Sequence, residues 1–93
     1  MSPQQIKFKS SSDYSLLEKN IRDRLKKTRI ELGFKTAKEF AESKALKIST
    51  YSLHEAGTRS MSIEIIAHYA FLLKIEPNWL LTGLGKKFTS YNF

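Results

Sequence analysis

The sequence predicts an all-α domain of five helices, and three observations support this. Apolar residues recur at the three- and four-residue spacing of buried helix faces, and they do not alternate as they would in strands. Serine and threonine residues precede several of these segments, where they can cap the start of a helix. Glycines at positions 33, 57 and 83 follow the segments, where helices commonly end. The 93 residues are enough for one small hydrophobic core.

The first helix is predicted to follow a flexible N-terminal arm. Residues 1–13 show no periodicity and include a run of three serines, so they form the arm. Ser15 and Glu18 have the spacing of a capping box, in which each side chain bonds a free backbone N–H at the helix start. The helix then runs to about Leu32 and ends at Gly33. Its predicted buried positions are Leu17, Ile21, Leu25, Thr28 and Leu32.

Two short helices joined by a tight turn are predicted next. Thr36 is placed to cap the first of them, and Glu39 completes a second capping box. The helices run from Ala37 to about Lys44 and from about Ile48 to Ala56, where Gly57 stops the second.

The apolar residues of this pair have the order of a helix-turn-helix. Phe40, Leu46 and Tyr51 anchor both helices to one core, and the small Ala41 lets them cross closely. The outer face of the third helix is then free to enter a DNA major groove, which is wide enough to admit one helix.

The last two helices are predicted from similar signals. Ser62 caps a fourth helix over residues 63–74, with Pro77 opening a fifth that ends at Gly83. Trp79 and Leu80 should pack onto the fourth helix. Residues 14–85 would then form the domain, and residues 86–93 an aromatic tail that either folds back or packs on a second subunit. The predicted inward positions of the fourth helix are Ile63, Ile66, Ala67, Ala70 and Leu73.

The charge of the chain favours a polyanionic partner. Sixteen Lys and Arg against nine Asp and Glu give a net charge of +7 and a pI near 9.8. A small basic domain attracts phosphate backbones. The alternative interpretation is that the positive charge serves only to keep the protein soluble. No stretch of about 18 apolar residues is present, so we expect no membrane association and a cytoplasmic location.

Residues 21–85 resemble the DNA-binding domain of the lambda-repressor-like family, which includes lambdoid phage repressors and Cro proteins. The segments that carry the resemblance are Arg29–Gly33, Phe40–Glu42, Ser49–Ser52, Glu55 with Gly57, and Trp79–Gly83. It implies a five-helix fold with a helix-turn-helix at helices 2 and 3. It also implies binding to double-stranded operator DNA, usually as a two-fold homodimer, and control of transcription.

The resemblance also pairs Arg29 with Glu55 in a buried ion pair between the first and third helices. Three residues depart from the family pattern. Lys44 replaces an apolar residue, Ala45 stands at the customary turn glycine, and Ala56 replaces an Asn that contacts the DNA backbone. A left-handed Ala45 would carry roughly 1 kcal/mol of strain.

By this resemblance, the operator-facing residues lie at the start of helix 3 and one turn further on. They are Lys47, Ile48, Ser49, Thr50, Ser52 and Leu53. Lys47 can donate a hydrogen bond to guanine or to phosphate. Ser49 and Thr50 can form hydrogen bonds with base edges or with phosphates. Ile48 and Leu53 can contact only thymine methyls or exclude water, and core packing is their alternative.

Phosphate contacts are expected around the start of helix 2. Lys35 and Thr36 lie there, and free N–H groups at a helix start favour an anion. Lys38 and Arg59 are further candidates, with Ser60 and Ser62 beside them. Each of these side chains, taken alone, is more often a solvated surface residue than a DNA contact. Helix 1 also has a basic run, which is partly a solvated face and consists of Lys19, Arg22, Arg24, Lys26 and Lys27.

An enzyme is a poor fit, because no nucleophile–base pair or metal-ligand cluster is apparent, and no cofactor is expected. The chain contains no cysteine, and its two histidines lie on different helices. His54 is expected to pack near helix 4. No metal site is predicted.

The leading hypothesis is therefore a phage-type or mobile-element repressor. The chain ends where longer repressors enter a linker, so we expect either a short Cro-like regulator or a truncated longer one. One alternative is the antitoxin of a toxin–antitoxin pair, whose aromatic tail would hold a toxin. Another is a protein-interaction module that has lost DNA binding.

Overall fold

The computed structural model describes the backbone of residues 11–90 and the side chains of residues 14–90. Within these residues the fold consists of five α-helices without a strand, so the predicted all-α class is confirmed. The helices are α1 (Ser11–Glu31), α2 (Ala37–Ser43), α3 (Ile48–Ala56), α4 (Ile63–Leu73) and α5 (Pro77–Thr82).

Helix α1 starts earlier than predicted. The chain is already helical at Ser11, so Ser15 lies inside the helix and the predicted capping box there is wrong. Residues 11–13 belong to α1 and not to an arm, and residues 1–10 lie outside the described range.

Among the described side chains of α1, those that reach the core lie in the middle of the helix. Ile21, Leu25 and Thr28 are buried as predicted, but Leu17 and Leu32 are 40% and 42% exposed. The helix is longer than the surface on which it packs. The apolar series therefore extends beyond the buried segment at both ends, at Leu17 and at Leu32.

The predicted caps of the later helices are mostly present. Thr36 Oγ1 accepts a hydrogen bond from the Glu39 N–H at 3.1 Å, and Ser62 caps α4 in the same way. The Glu39 carboxylate accepts from the Lys35 N–H at 3.1 Å, one residue before the predicted Thr36 N–H. Ala45 has φ of 56° and therefore carries the expected left-handed strain.

Aromatic side chains form the centre of the core. The Phe40 and Tyr51 rings lie 4.9 Å apart between centroids, and Tyr51 meets Tyr69 of α4 edge-on at 5.2 Å. Ala41 is fully buried, and Leu46 packs against the same cluster. These contacts hold α2 and α3 on one shared core.

Helix α4 turns a slightly different face inward than predicted. Ile66, Ala70 and Leu73 are buried, but Ile63 is 59% exposed and Ala67 is also exposed. Tyr69 is also buried. Among the residues of α5, Leu80 is buried and Trp79 is partly buried against the core.

The described part of the tail folds back onto the chain between α4 and α5. The Glu76 N–H donates to the Lys87 carbonyl at 2.8 Å, and the Thr89 N–H donates to the Lys74 carbonyl at 3.0 Å. This pairing covers Ile75, which is 2% exposed. The aromatic residues of the tail at positions 91 and 93 lie outside the described range.

Candidate nucleic-acid interface

Helix α3 is held to the core along one side. Tyr51 and His54 are buried, and Gly57 ends the helix in a left-handed conformation with φ of 83°. On the other side, Ser49 is exposed, while Ser52 and Leu53 are half-buried. At about 100° per residue, Leu53 lies within about 40° of Ser49 around the helix and well away from Tyr51.

A buried ion pair fixes α3 relative to α1. Arg29 Nη2 donates to Glu55 Oε1 at 2.8 Å, and Arg29 Nε donates to Glu55 Oε2 at 2.9 Å. The two side chains are 4% and 9% exposed. Arg29 Nη1 also donates to the Phe34 carbonyl at 2.6 Å. The hydrogen bond to Glu55 raises the pKa of Arg29, and the pair expected from the resemblance is present.

A second buried polar contact joins α3 to α4. His54 Nδ1 and the Tyr69 hydroxyl lie 2.6 Å apart, so His54 packs near α4 as predicted. Burial lowers the pKa of His54, and the positive charge of Arg59 lowers it further. Burial also raises the pKa of Tyr69, which keeps its hydroxyl protonated. Both shifts favour the neutral forms of the two groups.

The predicted DNA-contact residues all reach the surface, to different extents. Exposed side chains belong to Lys35, Thr36, Lys38, Lys47, Ile48, Ser49 and Arg59, and half-buried ones to Thr50, Ser52 and Leu53. Ile48 is only 36% exposed. Leu53 is not among the partly buried apolar residues that pack on the described core.

The start of α2 is less open to an anion than the sequence suggests. Two backbone N–H groups there already have acceptors. The N–H of Glu39 donates to the Thr36 hydroxyl, and the N–H of Lys35 donates to the Glu39 carboxylate. Lys38 lies 3.9 Å from Glu42 at the next turn of the helix. The exposed ammonium of Lys35 is the cation at this end of α2 with no ion-pair partner among the described residues.

Two arginines of α1 have contacts that the sequence did not predict. Arg24 donates from Nε to the Leu80 carbonyl and from Nη2 to the Leu81 carbonyl, both at 2.8 Å. Arg22 lies against the backbone of Gly57 at the end of α3. Both partners are distant in sequence, so helical periodicity carries no signal for them. By contrast, Lys19 pairs with Asp23 on the exposed face of α1.

The described residues hold no group of three or more His, Cys, Asp or Glu side chains that could bind a metal ion. Among the same residues, no helix has the length and apolar character required to cross a membrane. Comparison of the chain with protein-family profiles, curated proteins and solved structures gives no match in any of the three.

Proposed function

We propose that this protein is a sequence-specific DNA-binding regulator of transcription with a lambda-repressor-like fold. In this proposal α2 and α3 form a helix-turn-helix, and α3 enters the major groove of an inverted-repeat operator. Two copies of the chain bind as a two-fold homodimer in the cytoplasm, and repression follows because the bound dimer blocks a promoter.

The observation that carries the proposal is the two-sided character of α3. Its inner side is fixed by Tyr51, His54 and the ion pair of Glu55, which leaves the helix little freedom to rotate. Its outer side presents the small Ser49 and Ser52, whose hydroxyls can bond base edges at close approach. A rigid helix with a small, polar outer face suits a major groove.

The charge of the chain supports the same function. The net charge of +7 supplies the attraction for a phosphate backbone. Lys35, Lys47 and Arg59 are exposed at the ends of α2 and α3, and no ion pair to another described residue neutralises them. In this arrangement the cations bind phosphates and position the helix, while Ser49, Ser52 and Leu53 read the bases.

Selection of DNA fragments by the purified protein, followed by footprinting, tests the proposal. We expect an inverted repeat to be enriched and protected. Ser49→Asp places a negative charge on the outer face of α3 and should abolish enrichment. Ser90→Asp, the same change at an exposed tail position, should leave it intact. Failure of the wild-type protein to enrich any sequence would contradict sequence-specific binding.

A protein partner is a second candidate, favoured by an open groove of about 430 Å³ beside the tail. Leu32, Phe34, Leu72 and Phe88 line it, and Phe88 is 39% exposed. A toxin held here would make the protein an autoregulating antitoxin. Co-purification with the product of a neighbouring gene, lost in Phe88→Ser, would support this role.

A further inference from the structure

Arg22 is held in an unusual position at the end of α3. A Cβ atom added to Gly57 would lie 2.5 Å from Arg22 Cζ and 2.6 Å from Nε. These separations are too short for any real contact, so the guanidinium rests directly on the bare glycine backbone. Gly57 is thus required for the approach of Arg22 as well as for its own φ of 83°.

The guanidinium of Arg22 has no acceptor among the described residues. Glu18 stands one turn earlier on α1, at a spacing where an acid can pair with a following arginine, but no ion pair forms between them. Among the described side chains, every buried nitrogen or oxygen has a hydrogen-bond partner. The unbonded N–H groups of Arg22 must therefore face solvent, where they can bind an anion through two parallel hydrogen bonds.

Arg22 is one of the residues that line a small cavity. Arg59 and Ser60 line the same small cavity, together with Glu18, Ile21, Met61 and Ile66. The cavity has a volume of about 20 Å³, enough for one water molecule, and its lining combines the two arginines with one acid and three apolar residues. Arg59 makes no ion pair within the described chain. After burial, its positive charge is the second cause that lowers the pKa of His54 near the end of α3.

We propose that Arg22, which rests against Gly57, forms a seat for one phosphate of the DNA backbone together with Arg59 and Ser60. The inference rests on the proposed function, because it places a phosphate beside the end of the helix that reads the groove. It moves Arg22 from the solvated face of α1 to the DNA contact surface. The seat binds phosphate irrespective of base sequence, so it adds affinity without specificity.

A matched pair of glycine variants tests the seat without changing the charge. Gly57→Ala puts a methyl group where the Arg22 guanidinium lies, so the guanidinium must move. Gly33→Ala imposes a comparable backbone strain at φ of 98°, but the space around it is open. The measurement is affinity for a random-sequence duplex at several salt concentrations. Gly57→Ala should bind several-fold more weakly than wild type, and Gly33→Ala should bind equally well.

Charge variants provide a second, independent comparison. Arg22→Gln should weaken binding of the same duplex about tenfold, the expected loss for one charge-assisted contact. It should also reduce the salt slope by about one per protomer. Lys27→Gln removes the same charge from an exposed α1 position that is about 140° away around the helix, and should have a much smaller effect.

The seat and the proposed function fail in different ways. Operator enrichment by wild type, with Arg22→Gln no weaker than Lys27→Gln, would overturn the seat alone. Salt-dependent duplex binding that requires Arg22, without any enriched sequence, would support the seat and contradict the operator. No binding of any DNA would overturn both. A lower melting temperature of Arg22→Gln with an unchanged salt slope would make Arg22 a structural residue and overturn the seat.

Discussion

Tyr51 and Glu55, one turn apart on α3, are joined by a hydrogen bond of 2.5 Å from the Tyr51 hydroxyl to Glu55 Oε2. The same carboxylate oxygen accepts from Arg29 Nε. Burial and the bond to Glu55 raise the pKa of Tyr51, so the hydroxyl stays protonated and donates. One carboxylate therefore links α1 to the inner side of α3, which leaves the outer side in a defined orientation.

Arg29→Ala should strongly destabilise the fold. It would leave the Glu55 carboxylate buried without its cation, at a cost of about 3–5 kcal/mol, and would also free the Phe34 carbonyl. Urea unfolding measures this loss. Lys19→Ala, which removes an exposed pair with Asp23, should change little. An unchanged free energy of unfolding for Arg29→Ala would show that the pair does not hold α1 to α3.

Arg24→Ala should loosen α5. Its guanidinium bonds the carbonyls of Leu80 and Leu81, and burial lowers the pKa of Arg24 without removing its charge. The loss leaves two acceptors without their donor, at a cost of roughly 1–3 kcal/mol. Hydrogen exchange should rise in α5 more than in α3. Lys26→Ala, an exposed neighbour, is the control, and equal exchange in both variants would contradict the assigned contact.

Stability should fall on mild acidification because of His54. The folded state holds its pKa below the ordinary value of 6.5, so below that pH the unfolded chain binds more protons than the folded chain. The free energy of unfolding should therefore fall as pH drops from about 7.5 to about 5.5.

Variants of the two histidines test this assignment. His54→Gln should lose most of the pH dependence in that window, and His68→Gln, at an exposed position, should keep it. A pH dependence that survives in His54→Gln would assign the titration to another group.

The parts of the fold that follow local rules were predictable from the sequence. Helices α2 to α5 were predicted from Thr36, Ser62 and the terminal glycines. These signals are local, because a capping side chain bonds a backbone N–H within four residues of its own position. The Arg29–Glu55 pair followed from the resemblance. The start of α1 was missed because residues 14–20 are exposed and leave no burial signature.

Long-range contacts of the surface were not predictable in the same way. Arg22 and Arg24 read as part of a solvated basic run, yet each meets backbone more than 30 positions away in sequence. The pairing of Lys87 and Thr89 with the segment after α4 depends on where the helices place that segment. Ile63 and Ala67 were assigned to the core because a helical repeat alone does not reveal which edge of the apolar face is covered.

DNA binding should depend steeply on salt. With ~4–8 phosphate contacts per dimer, affinity should fall by roughly 10² to 10⁴ between about 50 and about 200 mM salt. A titration of the wild-type protein against a duplex containing the selected operator measures the slope. A flat response would contradict a mode in which lysines and arginines bind the phosphates.

The proposed contact of α3 with the major groove is tested most directly at Leu53, which should contact a thymine methyl. Leu53→Ala should leave the melting temperature near that of wild type, because Leu53 lies on the outer side of α3. Affinity is measured for the selected operator and for versions in which each thymine is replaced by uracil, which lacks the methyl group. The affinity of the wild-type protein should fall by ~1–3 kcal/mol when one particular thymine is replaced. The affinity of Leu53→Ala should not change on the same replacement. If Leu53→Ala instead melts several degrees lower and binds all sequences more weakly, Leu53 is a core residue and α3 does not present this face to DNA.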